Sequence, residues 1–286
     1  MTTLEELVAR ALEAGASDLH IEPLQAVGMR VKGELVMTSV ICTAEDTEMM
    51  ARIVLQDTAW RAFLERRSAD LSLLVSGIRC RINVMRSMAG VGLVVRLLSR
   101  FGQSVDKLNL HPSLVQLMMR DHGLVLITGP TGSGKSTTLA ALIEEVNGRE
   151  AKHIVTIESP IEYVLASRRS LIRQREVGRD TPTVAQALID SLREDPDILM
   201  VGEMRDFLTI QTAITAAETG HLVLSTLHTN TAAQSIDRII DSFPSDAKNQ
   251  LRLQLASSLL AVVTQRLVRR ADGKGRALAC EILTRS

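Results

Sequence analysis

Hydrophobic and polar positions along the chain follow two different patterns, and the pattern changes near residue 114. In the first hundred residues, apolar positions at helical spacing predict one helix over 3–14 and another over 44–67. Short alternating segments predict three strands between these helices and three strands after them. The later strands are predicted in LSLLV, IRCRINVM and VGLVVRLL. This mixture predicts a small α/β domain over residues 1–100.

The rest of the chain has a different alternation. Residues 101–113 have no sustained periodicity and include a proline, so we expect a linker there. From Leu114 onward, helical segments alternate with uniformly apolar segments such as HIVTIE, DILMVG and HLVLSTL. Apolar strands separated by helices are typical of a parallel sheet covered on both faces. The sequence therefore predicts a second α/β domain over residues 114–286.

A glycine-rich stretch, GPTGSGKST, interrupts the second domain between the apolar strand 123–128 and a helix. Its three glycines can adopt backbone conformations that bring several N–H groups to one concave spot, and such a spot binds phosphate. The start of the helix adds further unpaired N–H groups. The order of strand, glycine loop and helix is the context expected for G-x-x-x-x-G-K-[ST]. We therefore predict that a nucleotide is bound by Gly129, Pro130, Thr131, Gly132, Ser133, Gly134, Lys135, Ser136 and Thr137.

Two residues of this loop have predicted roles of their own. Lys135 would neutralise the β and γ phosphates of the nucleotide, and Ser136 would ligate Mg²⁺. The loop by itself predicts nucleotide binding and leaves the reaction open.

Polar residues follow three of the other apolar strands. Glu158 ends one strand, Glu203 follows the next, and His228 follows a third. Ligands of open α/β sheets bind at the carboxyl ends of the strands, so we expect these side chains near the loop. A carboxylate there can hold Mg²⁺ through its waters or deprotonate the attacking water, and both glutamates remain candidates for both tasks. His228 is placed to contact the γ phosphate.

Composition narrows the choice of partners. The 286 residues include 33 Lys plus Arg and 33 Asp plus Glu, so no global positive field attracts nucleic acid. One Trp, one Tyr and four Phe leave little surface for stacking bases. The three cysteines are far apart, which predicts neither a zinc motif nor a disulfide framework. Without a long apolar run or a signal-peptide pattern, a cytoplasmic protein is expected.

Four segments resemble, in order, the Walker A, Asp, Walker B and His boxes of the type II/IV secretion ATPase superfamily. They are GPTGSGKST, IESPIEY, REDPDILMVGEMRD and AAETGHLVLSTLHTN. The likeness extends to SDLHIEP, IRCRINV and QRLVRRADGKGRALACEIL, and so covers almost the whole chain. Within the superfamily, the chain is most similar to the motors that retract pili.

The resemblance implies a homo-hexameric ring whose subunits join a PAS-like amino-terminal domain to a RecA-like P-loop ATPase domain. It implies hydrolysis of ATP with Mg²⁺, coupled to domain closure and rotation. The implied partners are an inner-membrane pilus platform protein and related pilus ATPases, whereas nucleic acid is not expected. The protein would act in the cytoplasm, peripherally at the inner membrane.

The same resemblance implies the catalytic residues. By motif position, Arg81 and Arg96 of the amino-terminal domain would reach the phosphates, and Glu203 would hold Mg²⁺ together with Ser136. The complete catalytic set is Lys135, Glu158, Glu203, His228, Arg81 and Arg96.

Departures from the family pattern leave alternatives open. Ser159 stands where the Asp box has aspartate, Ile189 stands where an arginine is expected, and the long carboxy-terminal helices of retraction motors do not follow CEIL. One alternative is a pilus extension or type II secretion ATPase. A second is a ring ATPase that translocates nucleic acid and contacts it through the arginine-rich residues 167–180. A third is a switch that binds ATP and hardly hydrolyses it.

Overall fold

The computed structural model describes residues 2–98, 102–271 and 275–285. The chain divides into two compact units, Met1–Arg100 and Phe101–Ser286. Among the helices in the described ranges, none has the length and hydropathy needed to span a bilayer.

In residues 2–98 the first unit contains two helices and a six-stranded sheet, in which every pair of neighbouring strands is antiparallel. Both helices begin at a threonine in a capping box, which satisfies backbone N–H groups of the first turn. The strand order is β3-β2-β1-β6-β5-β4. In chain order the elements are α1 Leu4–Glu13, β1 Ala16–Ile21, β2 Ala26–Val31, β3 Glu34–Ile41, α2 Ala44–Arg66, β4 Ser68–Val75, β5 Ile78–Ser87 and β6 Gly90–Leu98.

Side chains along the strands of this unit alternate between the two faces of the sheet, and one face carries the apolar core while the other carries a row of charged residues. Leu19 and Ile21 of β1 are fully buried in the same core as α1. Because successive side chains of a strand point to opposite faces, Asp18 lies on the other face of the sheet. There it stands opposite Arg96 of β6, which in turn stands opposite Arg81 of β5. Both predicted arginines therefore lie in one row across this sheet.

The described part of the second unit has a seven-stranded sheet in the order β13-β12-β7-β11-β10-β8-β9. All neighbouring pairs are parallel except β12 with β13. The elements are α3 Pro112–Leu117, β7 Gly123–Thr128, α4 Lys135–Arg149, β8 His153–Glu158, β9 Leu171–Glu176, α5 Val184–Ser191, β10 Ile198–Val201, α6 Phe207–Glu218, β11 Leu222–Leu227, α7 Ala232–Asp241, α8 Lys248–Ser258, β12 Leu259–Arg269 and β13 Arg276–Thr284.

Two apolar cores cover the two faces of this sheet, which explains why its inner strands β7 and β10 are apolar along almost their whole length. Leu124 and Leu126 of β7 belong to the core shared with α5, α6 and α8. Their neighbours Val125 and Ile127 belong to the core shared with α3 and α4. The mostly parallel, doubly covered sheet agrees with the prediction from the sequence.

The segment predicted as a linker packs onto the second unit. Val105 and Leu110 are buried in the same core as Leu114. The helix α3 begins at Pro112 and is capped by the side chain of His111, so it starts inside the predicted linker. Irregular segments can bury apolar residues without any periodicity, which is why the pattern of the sequence did not indicate this packing.

Candidate active site

The glycine-rich loop joins the end of β7 to the start of α4, as the sequence predicts. Gly129, Gly132 and Gly134 have φ angles of +140°, +77° and +90°, which residues with a side chain rarely adopt. A Cβ atom at Gly129 would lie 2.3 Å from the backbone oxygen of Gln265 in β12. Glycine is therefore required at Gly129 both for its backbone conformation and for space.

The start of α4 has the features of an anion site. Its N-cap is Gly134, and no side chain caps the helix. Within the described residues, the buried hydroxyl of Ser133 has no hydrogen-bond partner. Uncapped N–H groups and an unsatisfied hydroxyl are polar groups that a phosphate can satisfy. These residues therefore fit the triphosphate that their motif predicts.

Lys135 is the first residue of α4, next to the loop, and is almost fully buried. Its Nζ donates hydrogen bonds to the backbone oxygens of Gly129 at 2.9 Å and Pro130 at 3.1 Å. Burial lowers the pKa of Lys135, and the negative charges of Glu203 and Glu162 oppose that shift. The ammonium group thus lies against the loop that would surround the phosphates.

A cavity of about 650 Å³ adjoins this loop, which is a volume typical of small-molecule sites. The predicted residues Glu158, Glu203 and His228 line it together with Lys135 and Ser136. They meet because β7, β11, β10 and β8 are consecutive parallel strands, so their carboxyl ends share one edge of the sheet. The other predicted residues that line it are Thr131, Gly132, Gly134 and Thr137.

Glu203 is part of a cluster of charged side chains just beyond the end of β10. Its carboxylate accepts from Arg205 Nη2 at 2.7 Å, and His228 Nε2 lies 3.4 Å from its other oxygen. Burial raises the pKa of Glu203, but the hydrogen bond from Arg205 and the charge of His228 outweigh burial and lower it overall. Glu203 is therefore held in its charged form. Arg205, two residues after Glu203, was missed in the sequence although it lies within the Walker B-like segment.

Glu158 is in the opposite electrostatic situation at the end of β8. Burial raises its pKa, and this outweighs hydrogen bonds from Thr156 Oγ1 at 2.6 Å and Gln174 Nε2 at 3.0 Å. Ser159, which replaces the aspartate of the family pattern, is exposed and lines the cavity. The side chains that orient Glu158 therefore come from β8 and β9.

Tyr163 is a further residue that the sequence did not indicate. Its hydroxyl lies 3.0 Å from the hydroxyl of Thr137 in the first turn of α4. The contact connects the segment after Glu158 to the phosphate loop.

One of the two predicted arginines of the first unit, Arg96, has an acidic neighbour. Arg96 Nε donates to Asp18 Oδ1 at 2.8 Å, while 63% of the Arg96 side chain stays exposed. Asp18 is almost fully buried, so its charge needs this pairing. Contact of Arg81 and Arg96 with phosphate stays a prediction.

The sequence matches a family model described as Type II/IV secretion system protein over residues 1–284. A type IV pilus retraction ATPase, PilT of Pseudomonas aeruginosa, is 42% identical over 283 residues, which are 98% of this chain and 82% of that protein. The chain belongs to the type II/IV secretion system protein family. This confirms the family that its four motifs resemble.

Two further members of the type II/IV secretion family support the same conclusion. A twitching motility protein of Neisseria gonorrhoeae is 45% identical over 243 residues, covering 84% of this chain and 65% of that protein. The crystal structure of the pilus retraction motor PilT with bound ADP has a TM-score of 0.93 and 40% identity, covering 100% of this chain and 84% of that one. The predicted fold class, a RecA-like ATPase domain after a small PAS-like α/β domain, is confirmed. As a family member with an intact phosphate loop, the chain is an ATPase.

Proposed function

We propose that this chain is a motor ATPase that hydrolyses ATP with Mg²⁺ and drives the retraction of a type IV pilus. The hydrolysis rests on one observation. Two carboxylates with oppositely shifted pKa values, Glu158 and Glu203, line one cavity with the phosphate loop. The similarity to PilT supports a pilus as the structure that this motor moves.

Residues of the loop would hold the substrate and its metal ion. The N–H groups of residues 129–137 would surround the phosphates, with Lys135 beside the β and γ positions. Ser136 would ligate Mg²⁺ directly, and Glu203 would hold it through water because its carboxylate stays charged. Once bound, Mg²⁺ supplies positive charge to the β- and γ-phosphate oxygens.

The two carboxylates would have different roles in hydrolysis. A general base works best when its pKa lies near the operating pH, and groups whose environments push their pKa values apart take different roles. Glu158, with its raised pKa, is therefore the proposed base. It takes a proton from water as the water oxygen attacks the γ-phosphorus, and ADP leaves with the electrons of the cleaved P–O bond. With this assignment we propose a separate role for each of the two glutamates, whose roles the sequence left open.

His228 and the arginines would connect hydrolysis to movement. His228 lies against Glu203, so its position would depend on the charge next to that carboxylate. Arg81 and Arg96 would reach the phosphates when the first unit closes on a nucleotide, in a homo-hexameric ring. An arginine supplied by a moving domain stabilises the transition state only in the closed form, which links turnover to rotation.

The proposed ring would act in the cytoplasm, peripherally at the inner membrane. There it would drive a pilus platform protein and work beside related pilus ATPases.

The charge pairing of residues 167–180 disfavours a motor that moves along nucleic acid. This arginine-rich segment is the best candidate for contact with nucleic acid, but three of its arginines are paired with glutamates. Arg168 lies 2.8 Å from Glu144, while Arg173 and Arg175 both contact Glu194, at 2.6 and 3.0 Å. Much of the positive charge of the segment is thus compensated within the protein, which disfavours binding to phosphate backbones.

Replacing Glu203 by glutamine tests its proposed metal role. We expect nucleotide binding to persist, kcat to fall, and the Mg²⁺ concentration at half-maximal rate to rise about tenfold, because the charge that holds the metal water is lost. The measurement is ATPase rate against Mg²⁺ concentration at fixed ATP. Glu48→Gln is the matched control, since Glu48 is paired with Arg52 in the first unit. An unchanged Mg²⁺ requirement contradicts the role.

Deleting the gene in its host tests the direction of the motor. If the protein retracts pili, surface pili accumulate in the deletion strain, because extension continues without reversal. The measurement is a count of pili by electron microscopy, with wild-type and Lys135→Ala genes returned on a plasmid. Only the wild-type gene restores the normal count. Loss of pili would instead indicate an extension motor, and an unchanged count with impaired protein export would indicate a secretion motor.

A further inference from the structure

Gln174 of β9 lies beside the proposed base because of the strand register. The parallel pairing of β8 and β9 places Gln174 directly opposite Thr156. Glu158 is two residues after Thr156, so the side chains of Thr156 and Glu158 share one face of the sheet. The amide of Gln174 and the hydroxyl of Thr156 therefore both lie next to the carboxylate of Glu158.

The amide of Gln174 is fully engaged in hydrogen bonds. Its Nε2 donates to Glu158 Oε1 at 3.0 Å and to the backbone oxygen of Tyr163 at 2.9 Å. Its Oε1 accepts from the backbone N–H of Leu165 at 2.8 Å. A flipped amide would turn its oxygen toward the Tyr163 carbonyl and toward Glu158, with a loss of all three bonds. The backbone of residues 163–165 therefore fixes the amide with its N–H toward Glu158.

A second donor meets the same carboxylate oxygen. Thr156 Oγ1 lies 2.6 Å from Glu158 Oε1, and Thr156 is fully buried. Two donors on one oxygen restrict rotation of the carboxylate. They also favour its charged form, which burial disfavours.

We propose that Gln174, with Thr156, is a positioning residue that holds the Glu158 carboxylate in the orientation needed to accept a proton from the attacking water. The inference rests on the proposed role of Glu158 as the base. It explains how Glu158 is oriented in a chain that has Ser159 where the family pattern has aspartate. It also connects the base to the phosphate loop, because Tyr163, whose carbonyl binds Gln174, contacts Thr137 through its hydroxyl.

Two substitutions test the inference, and each removes one of the two donors to the Glu158 carboxylate. Gln174→Leu removes the amide at similar size, and Thr156→Val removes the hydroxyl at nearly identical shape. We expect each to lower kcat about tenfold, the scale of one hydrogen bond to a charged group, with KM and the affinity for a fluorescent ADP analogue changed less than about twofold. Thr156→Ser, which keeps the hydroxyl, should restore most of the kcat that Thr156→Val loses.

The control is Gln186→Leu, an equivalent change at an exposed glutamine of α5 whose amide bonds Asp190 on the same helix. It should keep the wild-type kcat. Thermal unfolding shows whether each variant is folded, and if Gln174→Leu does not fold, Gln174→Met, which also lacks the amide, takes its place.

Two kinds of failure are distinguishable. A wild type without ATPase activity overturns the proposed function, whereas a Glu158→Gln variant with normal kcat overturns only the assignment of Glu158 as the base. If the wild type is active and Glu158→Gln has a strongly reduced kcat, a wild-type kcat in the folded Gln174 and Thr156 variants overturns the inference. It is equally overturned if nucleotide affinity falls as much as kcat, since that would indicate a purely structural role.

Discussion

The Lys135→Ala variant is expected to hydrolyse ATP at least about 100-fold more slowly than the wild type and to bind nucleotide more weakly. Removing one preorganised positive group from a phosphate-transfer site lowers the reaction rate by about this factor, because the negative charge that develops on the phosphates is then not compensated. Lys135 is the buried ammonium group that lies against the loop carbonyls of Gly129 and Pro130. Steady-state phosphate release and binding of a fluorescent ADP analogue measure the two effects.

Lys152→Ala is the matched control for this experiment. Lys152 is only partly exposed and lies 3.6 Å from Asp197, so its loss also removes a positive charge from the same unit. We expect it to keep the wild-type rate. Equal rates for Lys135→Ala and the wild type would mean that the observed hydrolysis does not occur at this loop.

Glu158→Gln is expected to keep nucleotide affinity and to lower kcat by about 10²- to 10⁴-fold, the usual contribution of a general base. Glutamine matches the size of glutamate and can still accept hydrogen bonds from Thr156 and Gln174. The change thus removes the ability to take a proton and little else. Glu150→Gln, at the exposed end of α4, is the control for the same chemical change. A Glu158→Gln variant with normal kcat would show that another group is the base.

The pH dependence of kcat gives a second measurement on Glu158. A base works only when deprotonated, so kcat should fall as the pH is lowered through the pKa of Glu158. Burial raises that pKa, so the acid limb should lie above the range of an ordinary glutamate. The residual activity of Glu158→Gln should lack this limb.

The sequence predicted the site best where its chemistry is local. The nine residues predicted to bind phosphate are consecutive, and the strands at which Glu158, Glu203 and His228 lie could be recognised as apolar runs. Their meeting followed from a general rule about the carboxyl ends of parallel strands.

Contacts that depend on pairing between distant segments could not be predicted in this way. Gln174 meets Glu158 only because β9 pairs with β8 in one register, and a shift of one residue would turn it to the other face. Asp18 meets Arg96 across 78 residues of chain for the same reason. Propensity and periodicity describe each strand by itself and do not specify its neighbour's register.

The close approach of Gly129 to Gln265 has a mechanical consequence. The carbonyl of Gln265 leaves no room for a methyl group at residue 129, and the amide of Gln265 donates to Thr138 in α4 at 2.8 Å. The loop and the first turns of α4 are thus both packed against the same residue of β12. We therefore expect a movement of α4 to displace β12 and, through the antiparallel pairing, β13 as well.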